Sequence, residues 1–506
     1  MKTRQLFASL AVVLLVACAG GEKQQGSGGG AGERNTLVMM MKASPTNLDV
    51  RVGNDNAAGR VFDLITSGLI RVTPNMDYAP DVAEKWETPD DKTIIFHLNP
   101  KAKFHNGQPV LAKDVKWTYE SLLAPNFTSS KKSGYSAVDH IEAPDEHTII
   151  FKLKSPNAGI FDNLTLGILP TGADTNVYKT KPIGCGAYKV IDYRPDDRLE
   201  LEAFDDWHLG TPKIKHVTIR IIPDLTTAVL ELRRGTVNME VNIIPFENVP
   251  DFEKNADFKV VKSAGSVYQY LAFNMKDPLL AKKEVRQAIA YAIDRDRIIR
   301  DLQRGYGTKT DSMLAGGHWA RPDNLPAYNY NPAKAKQLLA KAGYPHGFNL
   351  SFKTSTDAEA NLRAQAIQQM LKEVGITVQI QSNEMSTFLA DIGKGNFQMY
   401  SLSRNGIQDP DFYYVIFHSK NVPPEGQNRG SYNNPRVDQL IMDGRSTFDR
   451  TKRKPIYEEL QKLVADDLPY LSLYMQTNVT IMRKNIDGYV QYPAGFYLSV
   501  PQMTMK

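Results

Sequence analysis

The sequence predicts an α/β protein built from more than one lobe, on three observations. The chain has 506 residues, more than a single hydrophobic core usually organises. From Gly186 to Asn242 it reads strand, strand, strand, helix, strand. From Asn349 to Gln381 it reads strand, helix, strand, a crossover that should be right-handed with parallel strands.

Each element has its own signal. A helix is expected over 57–69 and another over 112–123. Two segments echo each other, "DKTIIFHLNP" (Asp91 to Pro100) and "EHTIIFKLKSP" (Glu146 to Pro156); their β-branched and aromatic content marks both as strands of one sheet. Asn106-Gly107 signals a tight turn. "YKVIDYRPDDRLELEAF" and "KHVTIRIIPD" alternate as strands do, Asp224 caps a helix over Leu225 to Arg234, and Gly235 ends it. Beyond "YQYLAFNMKDP" the period changes. Val285, Ala288, Ile289, Ala292, Ile293, Ile299 and Leu302 recur at helical spacing, and Gly305 closes the helix. Asn331-Pro332 opens another helix that stops at Gly343. A helix over Glu359 to Val374 stops at Gly375, and a last one over about 450–466 precedes strand "YLSLYMQ".

The first 35 residues read differently. Lys2 and Arg4 precede an apolar run from Leu6 to Ala17. That run is shorter than the roughly 20 residues a membrane-spanning helix needs and fits the apolar core of a secretory signal. Leu15-Val16-Ala17-Cys18 resembles a bacterial lipobox. The resemblance implies cleavage after residue 17 and lipid on Cys18. Ala19 to Asn35 is Gly-rich without apolar periodicity, so residues 18–35 read as a flexible tether with a reach of about 20–25 Å. Several acyl chains would make such an anchor stable. The expected location is extracytoplasmic, on the periplasmic side or cell surface of a bacterial membrane.

Composition excludes several classes. The net charge is +5, with basic residues dispersed, too little for a nucleic-acid partner. With Cys18 lipidated, Cys185 in "PIGCGAYKV" is a lone thiol; no Cys-His partner motif accompanies it, and a small residue in a glycine turn entering a strand is its expected role. "DHIEAPDEH" (Asp139 to His147) gathers two histidines and four carboxylates, but its turn-like centre marks an exposed loop rather than a metal site. Ser129 and Lys132 have Ser-x-x-Lys spacing without companion motifs. His-Glu-x-x-His, Gly-x-Ser-x-Gly and a phosphate loop are absent. No cofactor is expected.

Taken in order, "GRVFDLITSGLIR", "PDVAEKWETPDDKTIIFHLNPKAKFHNGQPVLAKDVKWTYESLL", "PIGCGAYKVIDYRPDDRLELEAFDDWHLGTPKIKHVTIRIIPD", "YLAFNMKDP…KKEVRQAIAYAIDRDRII", "YNPAKAKQLLAKAGYP" and "SYNNPRVDQLI" resemble the family 5 extracellular solute-binding proteins. That family includes dipeptide-, oligopeptide- and nickel-binding components of ABC importers. The resemblance implies a two-lobed periplasmic-binding-protein fold, type II and cluster C-like, with an inserted α+β domain. Lobe I would be about 36–50, 184–266 and 478–506, the inserted domain 51–183 and lobe II 267–477. "YQYLAFN" and "YLSLYMQTN" would be the hinges. The partners implied are a small solute, most often a peptide, and an ABC permease complex; the protein would be a monomer and no enzyme. The alternatives are a binding protein for an anionic small molecule or a metal chelate, a secreted hydrolase using Asp409 and Asp411, or a surface adhesin or chaperone-like protein.

In peptide-binding relatives a Trp and an Asp precede an acidic residue–Pro pair, and the Asp takes the peptide's amino group. Here "SLSRNGIQDPDFYYVIF" keeps Asp409-Pro410 but has Ser403 and Gly406 at those two positions. The candidate ligand-binding residues are Arg404, Asn405, Asp409, Tyr268, Tyr270, Phe273 and Asn274. Arg404 could fork onto a carboxylate or phosphate. Asp409 reads first as an N-cap for a helix beginning at Pro410 and second as a ligand residue. The aromatic residues could line a cleft or pack a hinge, and Asn274 could satisfy backbone.

Overall fold

The computed structural model describes residues 35–424 and 426–506. The signal-like segment, Cys18 and the tether up to residue 34 lie outside them.

Strand β1 (Thr36–Met41) opens the large sheet, and helix α1 (Asn56–Ile65) follows. The short hairpin Ile70–Val72 and Tyr78–Pro80 leads into a separate four-stranded antiparallel sheet. Its strands are β2 (Ala83–Asp90), β3 (Thr93–Leu98), β4 (Val138–Glu142) and β5 (Thr148–Leu153), with α2 (Ala112–Leu123) between β3 and β4. The two echoing segments are β3 and β5, and they pair directly, Thr93 opposite Lys152 through His97 opposite Thr148. Alternation explains this: Ile94, Phe96, Ile149 and Phe151 face one core while their neighbours face outward. Asp139 to His147 spans part of β4 and the turn after it; His140 accepts or donates to Asp139 and Glu142 at the surface.

The chain returns to the large sheet with β6 (Tyr188–Arg194), β7 (Arg198–Ala203) and β8 (His216–Ile221), then α3 (Leu225–Arg234), β9 (Met239–Val241) and β10 (Phe258–Phe273). Asp224 caps α3 by accepting from Thr227 N at 2.7 Å, and Gly235 ends it at φ 82°, a conformation that favours glycine. One expectation fails here. The periodic run 285–302 is two helices, α4 (Lys283–Ala292) and α5 (Arg295–Asp301), because Asp294 turns its carboxylate onto Arg297 N at 2.9 Å and starts a new helix. Likewise α1 stops at Ile65, short of the expected residue 69, since the chain must extend there for Gly68 to press against the Thr165 backbone.

Helix α6 (Pro332–Lys341) precedes β11 (Phe348–Ser355), α7 (Ala358–Lys372) and β12 (Ile376–Asn383). β11 and β12 are parallel in continuous register, Phe348 opposite Ile376 to Ser355 opposite Asn383, as the crossover reading requires. β13 (Met399–Arg404), α8 (Phe412–Phe417), α9 (Pro435–Arg445), α10 (Arg450–Asp467) and β14 (Tyr470–Arg483) complete the set.

The large sheet has eleven strands in the order β12-β11-β13-β10-β14-β9-β1-β8-β7-β6, with Gly307–Lys309 added to β14. Its centre is the long antiparallel pair β10–β14, from Phe258 opposite Arg483 to Ala272 opposite Tyr470. The pair changes cores along its length. Phe258, Val479 and Ile481 pack with α3 and with Ile243, Ile244, Val249 and Phe252, whereas Tyr268, Tyr270, Leu271, Tyr470 and Leu473 pack with residues of 280–464. The changeover coincides with a register shift between Ala264 and Tyr268. The four-stranded sheet has its own core, built from residues between Val50 and Cys185.

Candidate functional site

A cavity of about 670 Å³ lies where these cores meet. Its walls come from α1 and the strand after it, from segments 130–135 and 162–167, from Phe496 and Leu498, and, across the gap, from Gln408, Phe412, Val415 and Gln427. An adjoining cavity of about 230 Å³ shares Asn54, Gly59, Phe62, Lys131 and Phe496 and adds Arg60 and Asn405.

Helix α1 has two faces. Ala58, Val61, Leu64 and Ile65 are buried in the protein, while Gly59, Phe62, Asp63 and Thr66, three or four residues apart, face the cavity. Asp55 starts the helix by accepting from Ala58 N at 2.8 Å. Close backbone approach shapes the neighbouring wall: a Cβ on Gly68 would sit 2.5 Å from Thr165 O, and one on Gly184 1.9 Å from Ile65 O. That packing explains "PIGCG". Cys185 between the glycines is buried, its thiol donating to Ser67 O at 3.4 Å, and burial pushes its pKa up to about 12. A thiol so protonated is no nucleophile.

The charged groups of the cavity differ in how they are satisfied. Asp81 accepts from His208 Nε2 at 2.8 Å. Asp162 accepts from the Tyr78 hydroxyl, and burial, with Asp409 nearby, pushes it up to about 7. Asp63 accepts from Tyr497 N at 2.8 Å, and burial raises it to about 7 against the weaker pull of Arg60. Lys131 donates to Val50 O at 2.6 Å and lies 5.2 Å from the centre of the Phe62 ring; burial lowers it to about 8. Arg71 Nε donates to Pro80 O at 3.2 Å.

The residues singled out from sequence fall into two groups. Arg404, at the end of β13, sits behind the cavity wall: it donates to Gln427 Oε1 and lies 5.6 Å from the Phe412 ring, both wall residues, while its Nε has no partner. Asn405 lines the adjoining cavity and accepts from Ser266 Oγ at 3.2 Å. The others lie elsewhere. Tyr268 stacks on Tyr270 and Tyr270 on Tyr470 inside the β10–β14 core, with Tyr268 and Ser472 sharing a hydroxyl contact at 2.8 Å. Phe273 is fully buried in the same half, and Asn274 donates to Phe397 O at 2.8 Å. Asp409 is not the N-cap of the helix after Pro410; Asp411 holds that position. Both Asp409 oxygens face Arg453, at 2.6 and 3.0 Å, with each side chain 3 % exposed. Gly406 has φ 69°, where a side chain is strained, so this backbone suits the missing family carboxylate poorly. Asp63, Phe62, Lys131 and Phe496 were not legible as a site, because they are far apart in sequence and each reads as an ordinary surface or core residue.

Across the gap the two sides also touch directly. Ala158 N donates to Arg445 O at 3.2 Å, Arg450 pairs with Asp77, Phe161 meets Phe448 edge-on at 5.6 Å, and Gly159 packs on Asp411. Asp411 pairs with Arg445 at 2.8 Å, and burial raises it to about 6.

The family model for bacterial extracellular solute-binding proteins, family 5 (Middle), matches residues 77–423. The chain belongs to this family. Among curated relatives of this family 5 member, the oligopeptide-binding protein AppA of Bacillus subtilis is 29% identical over 496 residues, covering 90% of this chain and 89% of that protein. The structure of AppA in complex with a nonapeptide superposes with a TM-score of 0.78 at 26% identity, covering 93% of this chain and 99% of AppA. The A. tumefaciens binding protein AgaA, in complex with agropinic acid, superposes with a TM-score of 0.77 at 27% identity, over 93% and 99% of the two chains. The fold is thus the two-lobed periplasmic-binding-protein architecture of family 5. Among the described residues no three His, Cys, Asp or Glu side chains converge to hold a metal ion, and no helix is long and apolar enough to cross a membrane.

Proposed function

We propose that this protein is the substrate-binding component of an ABC importer. It captures a small solute, most often a short peptide, between its lobes and delivers it to a permease. The observation that carries this reading is the cavity of about 670 Å³ with walls from both sides of the β10–β14 crossing. That size suits a ligand buried over most of its surface. The lobes are taken as 36–50 with 184–266 and 478–506, and 267–477, with 51–183 inserted in the first; β10 and β14 act as hinges near the core changeover. A ligand touching both walls favours the closed arrangement by its differential affinity, and a permease reads the closed shape. The relation to AppA favours peptides. Ser403 and Gly406, with the likeness to AgaA, keep a non-peptide solute as the second reading. Arg404 and Asn405 are the sequence candidates nearest the cavity, and Arg404 is positioned to act through Gln427 and Phe412.

The protein works as a monomer, without chemistry on its ligand, outside the cytoplasm, and is held to a membrane by lipid on Cys18 after removal of residues 1–17. The test is a thermal-shift and calorimetry screen with peptides, sugars, organic anions and metal chelates. One solute class should stabilise the fold as RT ln(1 + [L]/Kd) and be recovered unchanged. Absence of any stabilising solute overturns the binding reading, and chemically altered solute overturns the non-enzymatic one. Cys18→Ser should release the protein from membranes.

A further inference from the structure

The cavity contains a carboxylate, Asp63, that no cationic side chain among the described residues bonds directly. Of the three acidic side chains on its wall, Asp81 is bonded to His208 and Asp162 to Tyr78. Asp63 has one backbone donor, Tyr497 N. The charged and titratable groups around it are Arg60 on its own helix and Tyr492 and Tyr497 from the C-terminal segment. Arg60 acts on it only through its charge: its hydrogen bond goes to Val241 O at 3.2 Å, and its guanidinium lies 5.4 Å from the centre of the Tyr497 ring. The two cations on the wall are also engaged elsewhere, Lys131 with Val50 O and Arg71 with Pro80 O. We propose that Asp63 receives an ammonium group of the bound solute, such as the amino terminus of a peptide.

This rests on the cavity being the ligand site. It supplies from α1 of the first lobe the amine partner that Gly406 lacks in the second. An alkylammonium brought against a half-buried carboxylate gains a charge-assisted hydrogen bond in a site from which water is displaced. Phe62 and Phe496 on the same wall offer apolar surface for the carbon atoms beside the amine. Because burial holds Asp63 near 7, an ammonium brought against it should draw it to the ionised form and expel a proton.

The test uses the full chain and three probe sets: di- to tetrapeptides with free amino termini, the same peptides N-acetylated, and alkylamines such as cadaverine, alongside neutral and anionic solutes. Free peptides should bind at least tenfold more tightly than acetylated ones. Asp63→Asn, which keeps an acceptor for Tyr497 N, should abolish that difference while the unliganded variant melts no lower than wild type at pH 8. Calorimetry near pH 6.5 in two buffers of different ionisation enthalpy should show proton release for wild type and none for D63N. Binding of cadaverine alone, lost in D63N, supports the ammonium assignment and removes the peptide one. Equal binding of free and acetylated peptides, or binding of neutral or anionic solutes only, overturns the role of Asp63 while leaving the binding-protein reading intact. No binding in any set overturns both.

Discussion

Arg453→Met should destabilise the fold strongly. Arg453 holds both oxygens of Asp409 in a pocket where each side chain is 3 % exposed, and its Nε donates to Gly444 O at 2.9 Å. Methionine keeps much of the stem but takes the guanidinium from over Trp319 and Tyr457 and leaves Asp409 with only Asp411 N as a donor, beside the carboxylates of Asp162 and Asp411. Breaking a buried pair costs about 3–5 kcal/mol. Losing the bond to Gly444 adds about 1 kcal/mol. Urea unfolding of wild type, Arg453→Met, Asp409→Asn and the double variant at pH 7.5 measures this. The double variant should recover about 2 kcal/mol or more of the single loss. A double variant no more stable than Arg453→Met would refute the reasoning.

Asp162 and Asp411, raised to about 7 and about 6 where the two sides touch, stabilise that contact fully below pH 4 and lose the contribution as pH rises through 6 to 7. Small-angle scattering of the unliganded protein should therefore show a more compact molecule at pH 5 than at pH 8; the reverse order would count against it. Gly184→Ala should cost about 1–3 kcal/mol by urea unfolding, since its Cβ would meet Ile65 O at 1.9 Å, whereas Gly59→Ala, with open space around its Cβ inside α1, should gain about 0.5–1 kcal/mol. Arg404→Ala should weaken an anionic ligand at least tenfold by calorimetry, and an unchanged affinity would remove Arg404 from recognition.

Local signals were legible wherever one residue type dictates local geometry. Asp224 and Asn331 cap helices, Gly235 ends one, and the β11–α7–β12 unit follows from its hydrophobic period. The echo of β3 and β5 became a pairing because both strands alternate over one core. The split at Asp294 was missed because its capping bond competes with a hydrophobic period that runs on through it. The site was the least legible part. Arg404 and Asn405 fall beside the cavity, whereas Tyr270 and Phe273, which the sequence left open between lining a cleft and packing a hinge, pack into a core.

By itself the sequence determined the elements, the α/β class and the likeness to solute-binding proteins, because periodicity, caps and turns are properties of neighbouring residues. Only the tertiary structure decided which carboxylates are satisfied. Asp409 lies 44 residues from its arginine, and Asp63 lies 434 residues from the backbone donor that leaves it one bond short of balance. Charge and burial are set by what the chain brings from afar, and no window of sequence contains them.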